Sequence, residues 1–147
     1  MISPINIMDA NFFRKIEEIA NKDSRYKPDA YEFVMQALWF TQKKLKQSGH
    51  VSGRQLLDGI RKFAIRQYGP MAKTVFGHWG VRVTADFGEI VFNMVDAGLM
   101  RSTEEDKKSD FEDVYDFDVA LNVFRAEKRK AQRSEKVLEN EKENLLS

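Results

Sequence analysis

Two groupings in this 147-residue chain have the residue types and spacing to do chemistry. The first is Gly77-His78-Trp79-Gly80, which sets an imidazole and an indole at a tight corner that would serve as a pocket floor. With the carboxylates of Asp86 and Glu89 it would make the centre of an enzyme or a ligand sensor. The plainer reading is a helix C-terminus, with His on the dipole, Trp packed and Gly turning the chain. The second grouping is Arg54, Arg61, Lys62 and Arg66, which share one side of a helix over 52–68. Leu56, Leu57, Ile60, Phe63 and Ala64 take the other side, and Ile65 sits among the bases as an exposed-looking apolar residue. Bases interleaved with an apolar contact suit an RNA backbone or an acidic protein surface equally. A solvated helix face is the plain alternative.

Other chemistries are short of ligands or nucleophiles. The chain has no cysteine, which removes disulfides, zinc fingers and thiol catalysis together. His50 lies in a loop with no acid near it in sequence, so two histidines leave a zinc site unsupported. Residues 102–118 are strongly acidic, but the spacing and central Gly of a calcium loop are missing, and Asp116 with Asp118 would give two ligands at most. Neither a nucleophile elbow, a phosphate-binding Gly-rich loop nor an HExxH pair occurs. The expectation is a protein that is not an enzyme and needs no metal or cofactor.

The elements that must position these residues are mostly helical. Apolar residues make up 42% of the chain, with 11 Phe, 4 Tyr and 2 Trp, enough for a real core in one domain of ordinary size. Pro28 opens a helix to about Lys46, closed by Gly49, and a shorter one over Asn11–Asn21 precedes it. Ser52 and Gln55 form a capping box, with Val51 and Leu56 as a hydrophobic staple, for a helix running to Tyr68 and Gly69. Pro70 opens a helix ending at Trp79–Gly80, and Thr84 is the expected N-cap of a helix over 84–97. Leu99–Ser102 and Val114–Phe117 alternate and read as a two-stranded ribbon. The predicted fold is therefore mainly α, helix-turn-helix-like at its centre with a short β-ribbon (winged-helix-like). Residues 1–125 form that domain, and 126–147 a charged C-terminal helix or disordered tail, where only half a heptad seam repeats through Phe124, Ala131, Leu138 and Leu145.

Charge is unevenly spread although the net is only +1. Residues 41–80 hold eight bases and one acid, 102–118 eight acids and two bases, and 125–136 turns basic again with Arg125, Lys128, Arg129, Lys130, Arg133 and Lys136. In the helix over 84–97 the residues left for solvent are Ala85, Asp86, Gly88, Glu89, Asn93 and Asp96, three acids and no base. Such a face repels phosphate, so duplex DNA is not read through it. No apolar run spans a membrane, and MISPINIMDANFF lacks the basic and apolar regions of a signal peptide, so the cytoplasm is expected.

From Arg25 to Phe117 the chain resembles a small family of bacterial proteins with no assigned function. The resemblance rests on Arg25-Tyr26, Pro28 to Val34, His50-Val51-Ser52-Gly53 with Leu56-Leu57, and Tyr68 to Val75. It continues through His78-Trp79-Gly80, Asp86 to Asn93, Gly98-Leu99, Thr103 to Asp106, Asp110-Phe111 and Asp113 to Phe117. It implies no activity and no site. The first expectation is thus a non-enzymatic module that engages a protein partner or larger assembly through its charged faces. The alternative is RNA binding through the basic 43–73 region and the basic 125–136 tail.

Overall fold

Helix α2 (Pro28–Leu45) is apolar on nearly every side, and a helix of that kind must be surrounded. Ala30, Tyr31, Phe33, Val34, Met35, Ala37, Leu38 and Thr41 are all buried on it. It is enclosed by α1 (Ala10–Lys22), α3 (Gly53–Tyr68) and α5 (Thr84–Asp96), with the short α4 (Ala72–His78) between the last two. Beyond these lie α6 (Phe117–Ala120) and α7 (Val123–Leu146). The structure, a computed structural model, describes residues 1–5, 8–46 and 49–146, and of 125–134 and 146 only the backbone. The described residues are mainly helical with one small antiparallel sheet. Among the described residues no helix is long and apolar enough to cross a membrane.

The core is a single cluster with an aromatic centre. Phe33 meets Trp79, Phe63 and Phe76 at ring separations of 5.2, 5.4 and 5.5 Å, and Phe76 carries the contact on to Phe87 at 5.1 Å and Phe117 at 5.4 Å. At these separations the rings interlock α2, α3, α4, α5 and α6. α2 and α3 approach closely at Gly59, where an added Cβ would fall 1.7 Å from Thr41 Oγ1.

Local signals are realised where they are short-range. Ser52 accepts from the Gln55 amide at 3.1 Å and the Gln55 side chain accepts from the Ser52 amide at 2.9 Å, the reciprocal cap expected at that position. The break after α2 comes earlier than Gly49: Lys46 itself takes the left-handed conformation, with φ at 51°. Phe13 on α1 is 41% exposed and rests edge-on against the buried Phe12. Ile65 is not an exposed apolar residue, since it packs against the core.

Two expectations are overturned. The strand β2 (Met100–Arg101) does not pair with Val114–Phe117. Its partner is the N-terminal β1 (Ser3–Pro4), in antiparallel register with Ser3 opposite Arg101. Residues 108–111 form a 3₁₀ turn instead, and Phe117 begins α6 as a buried anchor. Apolar alternation there serves the core: Phe117 is buried, and the Tyr115 hydroxyl donates to the Leu57 carbonyl at 2.6 Å. Thr84 is likewise not the N-cap of α5 but its first residue, buried, with its hydroxyl donating to the Phe111 carbonyl at 2.6 Å. The start of α5 is held by Asp86, whose carboxylate accepts from the Arg82 and Val83 amides at 2.8 and 3.1 Å.

Candidate functional site

The outer face of α5 is occupied by the protein itself. Glu89 accepts from Lys108 at 3.1 Å and from Arg25 at 3.3 Å, and those two cations, Lys108 foremost, hold its carboxyl below the usual range. Asp86 accepts from the Tyr26 hydroxyl at 2.6 Å. Burial, reinforced by that bond, pushes the Tyr26 phenol up. Asn93 donates to Asp23 at 3.0 Å and to the Tyr31 hydroxyl at 3.1 Å. Asp23 is clamped by Arg25 through two side-chain bonds of 2.7 and 2.9 Å, which keep its carboxyl far below the ordinary value. Gly88, expected to face solvent, lies beneath the Phe111 ring. Of the three acids assigned to an open helix face, Asp86 and Glu89 are therefore tied to the 23–26 segment and to the 3₁₀ turn, while Asp96 remains exposed.

His78 and Trp79 part company. Trp79 is buried at 5% exposure among Phe33, Tyr68 and Phe76, whereas His78 is exposed at the end of α4. The corner is made by Gly80 at φ 91°, where a Cβ would meet the Arg25 carbonyl at 2.1 Å. Its job is to bring the 25–27 segment alongside, and the Lys27 amide donates to the Trp79 carbonyl at 3.0 Å. Trp79 is thus part of the core, while His78 lies at the surface at the end of α4.

The basic face of α3 does reach solvent. Arg54, Lys62 and Arg66 are exposed and Arg61 is half-buried. Asp58 stands within the row and takes Lys62 at 2.9 Å and Arg61 at 3.1 Å. Burial would raise the Asp58 carboxyl, but the hydrogen bonds from Lys62 and then Arg61 outweigh it and lower the value. The side chains of the basic stretch from Arg125 to Arg133 lie outside the described residues.

Beside this row runs a groove of about 270 Å³ between the C-terminal end of α2 and the first half of α3. Its floor is Phe40, Leu45 and the Gly59–Thr41 contact, and its rim carries Lys44, Arg54, Lys62 and Asp58. Leu45 is 41% exposed there, and Lys44 reaches over the Phe40 ring at 5.7 Å. The volume falls just under the usual range for a small-molecule pocket, and the site is open, so it suits side chains of a docking segment. Sequence reasoning named Arg54 and Lys62, took in Lys44 only as part of the basic 43–73 region, and missed Phe40 and Leu45 as site residues. The signal was available in part: two consecutive lysines beside a leucine that continues the α2 stripe past the end of the core.

A second groove, about 340 Å³, is lined by Lys73, Arg82, Asp113, Tyr115, Asp116 and Asp118. Its charges are of both signs, and Lys73 is paired with Asp118, so it offers no single electrostatic demand. Among the described residues no three His, Asp or Glu side chains converge as a metal-ligating group. No protein-family model, curated protein or solved structure matches this chain.

Proposed function

We propose that this chain is a cytoplasmic, non-enzymatic binding module for protein, with the α2–α3 groove as its site and an acidic, partly apolar segment as its ligand. The observation that carries this reading is the coincidence of an apolar floor open to solvent and exposed cations in one groove: half-buried Phe40 and exposed Leu45 beneath Lys44, Arg54 and Lys62. Apolar floor supplies affinity, and a rim of three cations to one acid, Asp58, selects partners and steers them in. In this reading the α4–α5 pair is helix-turn-helix-like in order and acts as scaffold, because Asp86, Glu89 and Asn93 are spent on internal bonds. The family resemblance, which implies no activity, is compatible with such a module. RNA is the weaker occupant of the same face. Asp58 holds two of its four bases, and the aromatic rings near it, Phe40 and Phe63, face each other at 5.2 Å instead of offering an open stacking platform.

Fluorescence anisotropy with the full chain decides between them. The probes are a labelled helix-forming peptide of Leu and Glu, its Leu and Lys counterpart with the same leucine spacing, and a mixed-sequence single-stranded RNA. The acidic peptide should bind, and Lys44→Glu with Lys62→Glu should weaken it about tenfold. Equal binding of both peptides, or of neither, refutes the reading. RNA binding whose salt slope is about −0.7 per phosphate contact, and which Arg66→Glu reduces, would replace it with the nucleic-acid alternative.

A further inference from the structure

The C-terminal helix carries the complement of that groove. α7 is continuous from Val123 to Leu146, and its described side chains from 135 to 145 are all exposed, Leu138 at 57% and Leu145 at 86%. At 100° per residue, Leu138 and Leu145 fall within about 20° of each other on the helix surface. Glu135 and Glu141 lie about 60° to either side of Leu138, and Lys142 sits about 40° from it. The face is thus a short apolar stripe bordered by two acids and holding one base. The groove is an apolar floor bordered by Lys44, Arg54 and Lys62 and holding one acid, Asp58. The lengths agree as well: from Arg54 to Lys62 the α3 wall runs about 12 Å, and from Leu138 to Leu145 the stripe runs about 10 Å.

The two surfaces do not meet within one molecule. α7 packs at its root against the 69–71 turn, at the far end of α3 from the groove. Leu138 and Leu145 lie about 22 and 33 Å along the helix from Val123, with no break at which it folds back. We propose that the Leu138–Leu145 face of α7 docks in the α2–α3 groove of a second copy of this chain. Leu138 and Leu145 cover Phe40 and Leu45, Glu135 and Glu141 face the Lys44, Arg54 and Lys62 rim, and Lys142 faces Asp58. Reciprocal exchange closes a two-fold dimer in which each contact supports the other. Each contact is small, so the dimer is a transient one that forms at raised concentration. The proposal rests on the groove being a site for acidic, partly apolar segments, and it names the segment. Pairing of two α7 helices with each other is the rival, but its seam would set Glu135 and Lys142 beside Leu138 and Leu145, half of a heptad pattern.

Sedimentation velocity of the full chain, from low micromolar to a few hundred micromolar, tests it. A concentration-dependent dimer is expected, weakened about tenfold by Lys44→Glu with Lys62→Glu, and equally by Leu138→Ser with Leu145→Ser. All four positions are exposed, so circular dichroism should show the fold unchanged. The decisive variant adds Glu135→Lys and Glu141→Lys to the Lys44→Glu, Lys62→Glu background, which should restore the dimer. A chain that stays monomeric throughout overturns the proposal. So does a dimer that the leucine changes abolish but the groove changes leave intact, which would mean the tails pair with each other. If the acidic peptide still binds in either case, the groove reading stands and only the choice of occupant fails.

Discussion

Replacing Thr84 separates a helix cap from a buried strut. The residue is 1% exposed, its hydroxyl donates to the Phe111 carbonyl at 2.6 Å, and it accepts from the Val114 amide at 3.2 Å. Thr84→Val keeps the shape and removes both bonds. The Phe111 carbonyl, left buried without its donor, costs about 1–3 kcal/mol, and the half-buried Val114 amide, which water can reach, about 0.5–1.5 kcal/mol. The sum is about 1.5–4.5 kcal/mol, at roughly 4 °C of melting temperature per kcal/mol for a domain of this size. Thr84→Ser retains both bonds and loses one methyl, about 0.8 kcal/mol. Thr84→Asn is the discriminating change. An N-cap accepts Asn at no loss, whereas at a site 1% exposed the larger amide must overpack its neighbours, so Asn should cost at least as much as Val. Urea denaturation followed at 222 nm, with slopes checked for constancy, gives all three values. A Thr84→Asn variant at the wild-type midpoint would refute the strut and reinstate the cap.

Ser52→Ala removes half of a reciprocal cap and should lower stability by about 0.5–2 kcal/mol, read as a shifted urea midpoint at constant slope. Gly59→Ala drives a Cβ into the Thr41 hydroxyl, which is itself donating to the Ala37 carbonyl at 2.7 Å; overpacking of about 1–3 kcal/mol is expected, with weaker acidic-peptide binding as the groove wall shifts. Asp23 and Glu89 have folded values held below their free ones by Arg25 and Lys108. Their contribution is therefore complete above the free carboxylate range, about pH 4, and is lost as pH falls from there through the depressed folded values. Urea midpoints taken between neutral pH and pH 2.5 should fall in that window, and Asp23→Asn should flatten the fall.

What the sequence disclosed follows the range of the interaction. The Ser52–Gln55 box spans three residues and needs no knowledge of the rest of the chain, so it reads directly. The α2 stripe reads too, because burial on so many sides leaves few polar positions. Thr84 misleads because the residue type that caps a helix is also the type that satisfies a distant carbonyl, and only the position of Phe111 tells the two uses apart. The acids of α5 look free on a helical wheel, since the wheel contains neither Arg25, 64 residues away, nor Lys108. Val114–Phe117 alternates because Tyr115 and Phe117 both turn inward from an irregular segment, and alternation alone does not distinguish that from a strand. The groove needed the end of α2 set against the start of α3, with Gly59 fixing how closely the two helices lie.

The pairing of the N-terminal residues with two distant segments sets an order of events. Ile2 is wholly buried and exchanges backbone bonds of 2.6 and 2.9 Å with Val51, while Ser3 and Pro4 lie against Arg101 and Met100. Closing a free loop of nearly a hundred residues costs about 4 kcal/mol in chain entropy. A buried isoleucine contributes about 2 kcal/mol, and a handful of backbone bonds about 1 kcal/mol each. Ordering the backbone of residues 2–5 costs a further amount of about 1–2 kcal/mol for each residue, and that balance leaves no margin for the strand to nucleate anything. Once α2, α3 and α5 have met, the same ends are already close and the entropic term has largely been met by the helices. The N-terminal strand is therefore a late latch: it should be absent from the folding transition state, emerge from the ribosome long before it has anywhere to bind, and slow unfolding without hastening folding.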